Sequence, residues 1–223
     1  MTEAPNDFGP IYVETDMTRF PVEPWNTASN LIFLIIVVYF AWRTKLNYRT
    51  HPLIVFGLPV LFVGFIGGSV YHATRSHRIW LMLDFIPIFI LTAAAALKFW
   101  KAVTGKWSYA VGGLLGCALA PRLIAGLLDL PFHYRISVGY AGLALAILFP
   151  AAIECRKNGG ANWALLLSTC LAFAVAVAFR TLDRAGIALL PMGTHFLWHL
   201  FGGMSVWCLM EYTLRGDLLR ARS

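Results

Sequence analysis

Charge is what this chain has least of: Asp, Glu, Lys and Arg together make up 13% of its 223 residues, where an ordinary soluble domain carries about 25%. That scarcity excludes a disordered chain and a coiled coil, both of which need abundant charge. Cysteine is also sparse. The four that occur, Cys117, Cys155, Cys170 and Cys208, are far apart and form no C-x-x-C pair, which argues against a disulfide framework and against a thiolate metal site. They read as packing residues. The start of the chain lacks a secretory signal pattern: residues 1–23 hold Glu3, Asp7, Glu14, Asp16 and Glu23, with no basic start followed by a short apolar run. No 20–50-residue repeat and no low-complexity tract is present. Acidic residues are the rarer sign, 11 against 18 Lys and Arg. In a soluble protein that excess would point to nucleic acid. Here the cations fall between apolar blocks, so membrane orientation and anionic headgroups account for them, and no nucleic-acid partner is expected.

What the chain has instead is apolar length, with 59% hydrophobic residues gathered into blocks. Cutting at every Asp, Glu, Lys and Arg leaves charge-free stretches at 24–42, 50–74, 136–153, 158–179 and 185–210. Two more spans appear when one charge each is tolerated, 79–97 with Asp84 and 107–128 with Arg122, each near the ~20 residues that cross a bilayer. The expectation is an all-α membrane protein, a bundle of seven transmembrane helices over 23–214 with an acidic extramembrane tail at 1–22 and a basic tail at 215–223. Seven spans divide the loops into two sets. The set holding the N-terminus carries six cations, counting Arg75 and Arg180, and the opposite set carries eleven. The positive-inside rule then puts the N-terminus outside and the C-terminus in the cytoplasm. Gly64, Gly67, Gly68, Gly202 and Gly203 are placed to let helices approach closely.

Ionisable residues inside spans are costly and therefore informative. There are five: His72, Asp84, Arg122, His195 and His199. His51, His77 and His133 fall in expected loops, where water can solvate them. Arg122 reads as structural, pairing with Asp129 or reaching a headgroup. On the seven-span topology His72, Asp84, His195 and His199 lie at one membrane depth, near the N-terminal side. His195 and His199 are spaced i, i+4, which puts both imidazoles on one helix face, as two ligands of a single ion require. His72 is a third nitrogen, and three neutral imidazoles with an open position make a catalytic zinc site. Zinc so held lowers the pKa of water from 15.7 to about 7 and polarises a carbonyl. Asp84 is the candidate base. Ser69, one turn before His72, has a hydroxyl to bond Asp84 or to steady an oxyanion, although a serine in a membrane helix commonly bonds its own i−4 carbonyl.

Four blocks occur in order: Glu23-Pro-Trp-Asn-Thr-Ala-Ser-Asn30, Gly68-Ser-Val-Tyr-His72, Asp84 with Pro87, and His195-Phe-Leu-Trp-His199. In this the chain resembles the alkaline ceramidases, a family within the seven-helix intramembrane hydrolases that include the adiponectin-receptor-like proteins. The resemblance runs from the tail to the last helix, and the fourth and fifth spans contribute nothing diagnostic to it. It implies that His72, His195 and His199 hold zinc, that Asp84 supports catalysis, and that the reaction is hydrolysis of a ceramide amide to a sphingoid base and a fatty acid. The run from Phe179 to Asp183 resembles the family's aromatic-x-x-x-Asp, which makes Asp183 a candidate for shaping the site entrance. Tyr12 by its carbonyl, with Glu14, Asp16 and Glu23, resembles the calcium constellation of the eukaryotic members. Two departures stand out. Ser69 precedes His72 by three residues rather than four, with Gly68 in the family serine's place, and Ile11 stands where an acidic calcium ligand is expected, which weakens a hard oxygen site.

The expected function is therefore a zinc-dependent amidase acting on a lipid drawn sideways from the bilayer. Short loops suit a bacterial inner membrane, and since many bacteria lack ceramide, another acyl-amide lipid is an open substrate. The rival from a different class is a non-catalytic seven-helix receptor or a proton or metal relay. Relay sites usually sit near the midplane within repeats, whereas these groups cluster at one end.

Overall fold

The computed structural model describes residues 5, 7–187 and 189–220, with the side chains of 132, 133 and 220 left aside. Among them the chain is helical, with no strand: α1 Pro24–Ser29, α2 Leu31–Thr44, α3 Pro52–Thr74, α4 Arg78–Thr104, α5 Trp107–Leu127, α6 Phe132–Lys157, α7 Trp163–Arg184 and α8 His195–Arg220. Six stretches are long and apolar enough to cross a membrane, the first being α1 and α2 together and the last α7. The chain is a multi-pass integral membrane protein by that measure. α8 is long enough but less apolar, because His195, His199 and Glu211 interrupt its hydrophobic run. Its neighbours explain the tolerance: α8 packs against α1, α2, α3 and α7, so its polar groups face protein rather than lipid.

Proline opens α1 and α3 at their first turn, where the missing N–H has no helical partner anyway. Glycines bring α3 against α4, since a Cβ on Gly67 would lie 2.5 Å from the Leu83 carbonyl carbon. Gly203 does the same for α8 against Ile32 of α2, whereas Gly202 meets nothing within 4 Å and borders a cavity instead. Ile36, Phe40, Ile54, Leu58, Leu61 and Leu214 form one core cluster between α2, α3 and α8. Cys155 lies in a second, with Ala95, Phe99 and Tyr212, while Cys170 is exposed.

Within the last apolar block the helix begins just after Pro191: Gly186 and Gly193 adopt positive φ, and α8 starts at His195, one of the two histidines expected to open it. Several other expectations are corrected. Residues 215–220, expected in the tail, continue α8, and 221–223 lie outside the described residues. His51 is buried and lies 3.5 Å from Asp217 through Nδ1, with Lys98 on the other Asp217 oxygen at 2.8 Å. Asp129 pairs with Arg135 at 2.6 Å and not with Arg122, which lies against Gly139. The acidic tail is not a solvated strand either: Asp7, Tyr12, Glu14 and Val22 are buried against the bundle.

Candidate metal centre

Two helices deliver the three imidazoles. His72 ends α3, while His195 and His199 occupy the first two turns of α8 on one face. The three rings lie 4.8–5.4 Å apart by centroid, with one ligand atom from each within 4.8 Å of the others, the one such group among the described residues. All three are buried.

Neighbouring groups set the protonation of two rings. Ser29 Oγ donates to the Asn26 carbonyl at 2.9 Å, so in its 2.7 Å contact with His199 Nδ1 it must accept. His199 therefore carries its proton on Nδ1 and its lone pair on Nε2. Glu23 Oε2 belongs to an ionised carboxylate that can only accept; it lies 2.5 Å from His72 Nδ1, which therefore donates, fixing the same tautomer there. His72 Nε2 is then a buried lone pair with no hydrogen-bond partner, and His195 Nδ1 is likewise without one. A histidine whose other nitrogen donates to a carboxylate or hydroxyl is the usual form of a metal ligand, so the donor set fits a zinc-type ion.

The tail holds this arrangement from outside. Val22 and Glu23 donate their amides to the carbonyls of Ala73 and His72, satisfying the last turn of α3. Arg75 caps that turn in the left-handed region (φ 46), a costly conformation for an arginine that its surroundings over-determine. Its buried guanidinium uses all five N–H groups: Nε and Nη2 bind Asp7 at 2.6 and 3.0 Å, Nη2 also the Pro10 carbonyl at 2.9 Å, and Nη1 both Thr15 Oγ1 at 3.3 Å and Glu23 Oε1. Burial alone pushes the Glu23 carboxyl up, but the hydrogen bond from His72, the charge of Arg75 and the hydrogen bond from Thr15 outweigh it and hold it below the usual carboxylate range. The Tyr12 ring stacks on His195 at 3.8 Å.

The remaining candidates divide. Asp84 borders the same cavity as His195 and His199. Gly68, in the place of the family serine, faces it: a Cβ there would lie 2.6 Å from Asp84 Oδ1 and 2.8 Å from Asn30 Oδ1. Ser69 does not bond Asp84, because its Oγ has no hydrogen-bond partner. Asp183 is buried and caps α8, accepting from Thr194 N at 3.0 Å and, through its other oxygen, from Val13 N at 3.4 Å; it fixes where His195 starts rather than lining an entrance. Of the calcium candidates, Glu14 accepts from the amides of Trp25 and Asn26 at 2.6 and 2.9 Å, Asp16 bonds Thr18 on the surface, and Glu23 is committed to His72 and Arg75. Burial pushes the Glu14 carboxyl up, and the Thr18 bonds lower that of Asp16. These acids do not gather three ligand atoms around one point, and an arginine occupies the position between Asp7 and Glu23, so the residues present do not fit a calcium ion.

The cavity itself is about 240 Å³. It begins at Tyr12, Asp84, His195 and His199 and follows α8 to Thr213, about 21 Å beyond His199 at 1.5 Å per residue. Sequence reasoning missed Arg180, which borders it. Arg180 was expected in a loop, yet it lies within α7, is buried, and stands over the rings of Tyr140 and Trp198 at 5.0 and 5.8 Å. Comparison with protein-family models and with curated proteins finds no match to the chain.

Proposed function

We propose that this protein is a zinc-dependent intramembrane hydrolase of the alkaline ceramidase type, cleaving the amide of a ceramide-like or other acyl-amide lipid. One observation carries the reading: three buried imidazoles converge, two of them with the Nε2 lone pair fixed by Glu23 and Ser29, beside a carboxylate at the head of a long apolar cavity. His72, His195 and His199 would hold the ion, and a zinc ion so held polarises a carbonyl and supplies a nucleophile near neutral pH. The chain's own residues do the rest. Asp84 takes the proton released on attack and returns it to the leaving amine. The tail and α1 cover the imidazoles from the aqueous side, and the cavity accepts an acyl chain. Its 21 Å run exceeds the roughly 15 Å that one leaflet of a ~30 Å hydrocarbon core offers.

In this reading α8 is the seventh span and the imidazoles face the outer leaflet. With Arg75 and Arg180 buried, four cations remain on the N-terminal side against eleven opposite, which strengthens the assignment of the C-terminus to the cytoplasm. A bacterial inner membrane suits the short loops. The test is metal content by elemental mass spectrometry on detergent-purified protein, with amide-lipid hydrolysis measured on the same samples. The expected result is near one zinc per chain and release of fatty acid, both lost in His72→Ala and His199→Ala. A folded, metal-free and inactive wild type would overturn the proposal in favour of a relay.

A further inference from the structure

Arg180 is a buried cation that the hydrolase reading does not use. It is 4% exposed, borders the cavity with Asp84, His195 and His199, and takes part in no ion pair within 4.0 Å among the described residues. Tyr140 and Trp198 hold the guanidinium by their rings and the Tyr140 hydroxyl is in hydrogen-bonding reach of it, yet Nη1 is buried with no partner. Arg75, at the end of α3 in the same protein, shows how this fold treats an arginine that fastens structure: every donor is matched. Asp84 across the cavity is near enough to interact with it electrostatically but forms no ion pair with it, and a buried guanidinium without a directly paired carboxylate is unfavourable; its planar fork matches a carboxylate in two parallel hydrogen bonds.

We infer that Arg180 is the anchor for an oxyanion at the head of the cavity, and that the protein binds a single-chain amphiphile whose polar end is a carboxylate. The apolar length toward Thr213 takes the chain and the edge of Arg180 takes the charge. Two sources supply the same chemistry: a carboxylate on the amine side of the substrate, or the fatty acid that amide hydrolysis releases. The choice of source rests on the hydrolase reading; the binding does not.

The test is equilibrium binding of radiolabelled palmitate to the detergent-purified full-length protein above pH 8, competed by unlabelled palmitate or hexadecanol, which has the same chain without the charge. Charge-assisted hydrogen bonds predict a preference for palmitate of about tenfold to a hundredfold. That preference disappears in Arg180→Gln, with hexadecanol binding unchanged, and survives in His199→Ala. The opposite pattern, loss in His199→Ala and retention in Arg180→Gln, assigns the oxyanion to the imidazole cluster and overturns the inference. Should Arg180→Gln not fold, equal binding of the two probes by wild type overturns it alone. Kinetics identify the source. A higher KM for N-palmitoylglycine, but not for N-palmitoylethanolamine, in Arg180→Gln places the carboxylate on the substrate. Weaker inhibition by palmitate with both KM values unchanged places it on the product.

Discussion

Replacing Ser29 with alanine removes one oxygen atom and tests the logic of the site. Ser29 Oγ is the acceptor for His199 Nδ1 and itself donates to Asn26. Without it the buried Nδ1–H loses its hydroxyl acceptor and keeps only the Asn26 carbonyl in reach, a loss of up to about 1–3 kcal/mol that the imidazole can relieve by moving its proton to Nε2. The lone pair then leaves the point where the three rings converge. Loss of such an outer partner typically weakens metal binding 10–100-fold, or about 1.4–2.8 kcal/mol. The assay is a competitive titration of zinc against a chromogenic chelator, run on wild type, Ser29→Ala and Ser29→Thr, with thermal unfolding of the metal-free forms in parallel. Ser29→Thr keeps the hydroxyl and should stay within about threefold of wild type, well inside the loss that an outer partner carries. An alanine variant that binds zinc as tightly as wild type, whatever its Tm, refutes the claim that Ser29 sets the lone pair.

Three further outcomes follow from the same geometry. Gly68→Ala sets a Cβ 2.6 Å from Asp84 Oδ1; overpacking of this kind costs about 1–3 kcal/mol, and fatty-acid release should fall while zinc content stays near one per chain. Asp84→Asn keeps the shape and removes the base, so the rate of amide hydrolysis should drop about 10²–10⁴-fold with metal content unchanged; an active variant would remove Asp84 from the chemistry. Arg75→Met leaves Asp7 and Glu23 buried without their cation, and breaking such a cluster costs about 3–5 kcal/mol, read as a lower Tm and as new protease cleavage within residues 7–22. If calcium held the tail instead, chelating it would reproduce that cleavage in wild type, and we expect no such effect.

The three imidazoles and Asp84 were legible because a bilayer makes ionisable residues rare and because i, i+4 spacing needs no tertiary knowledge. The tautomer-setting partners were half legible. Glu23 and Ser29 stood out as members of one motif, but nothing in their spacing tells which histidine each meets, since the contacts span 49 and 170 residues. Asp7 and Tyr12 lie in a tail with no hydrophobic period, so their burial had no local signal. His51 was read as solvated because its partner Asp217 is 166 residues away. The start of α8 at His195 was legible, because Pro191 breaks the apolar run just before the paired histidines, but that Asp183 caps it from α7 had no local signal.

The arginines show where reading spans by charge fails. Cutting the chain at each charge ends α3 and α7 at their first cation, which assigns Arg75 and Arg180 to loops. That inference assumes that a charge at the end of an apolar run reaches water. Arg75 does not, and five hydrogen bonds replace the water it gives up. Arg180 does not either, and at Nη1 nothing replaces it. Equal burial with unequal satisfaction separates the two roles: the saturated guanidinium fastens the tail over the imidazoles, and the unsaturated one faces a cavity shaped for a chain with a charged end. The same cost that keeps charge out of membrane helices therefore makes an unmatched buried arginine a marker for a ligand.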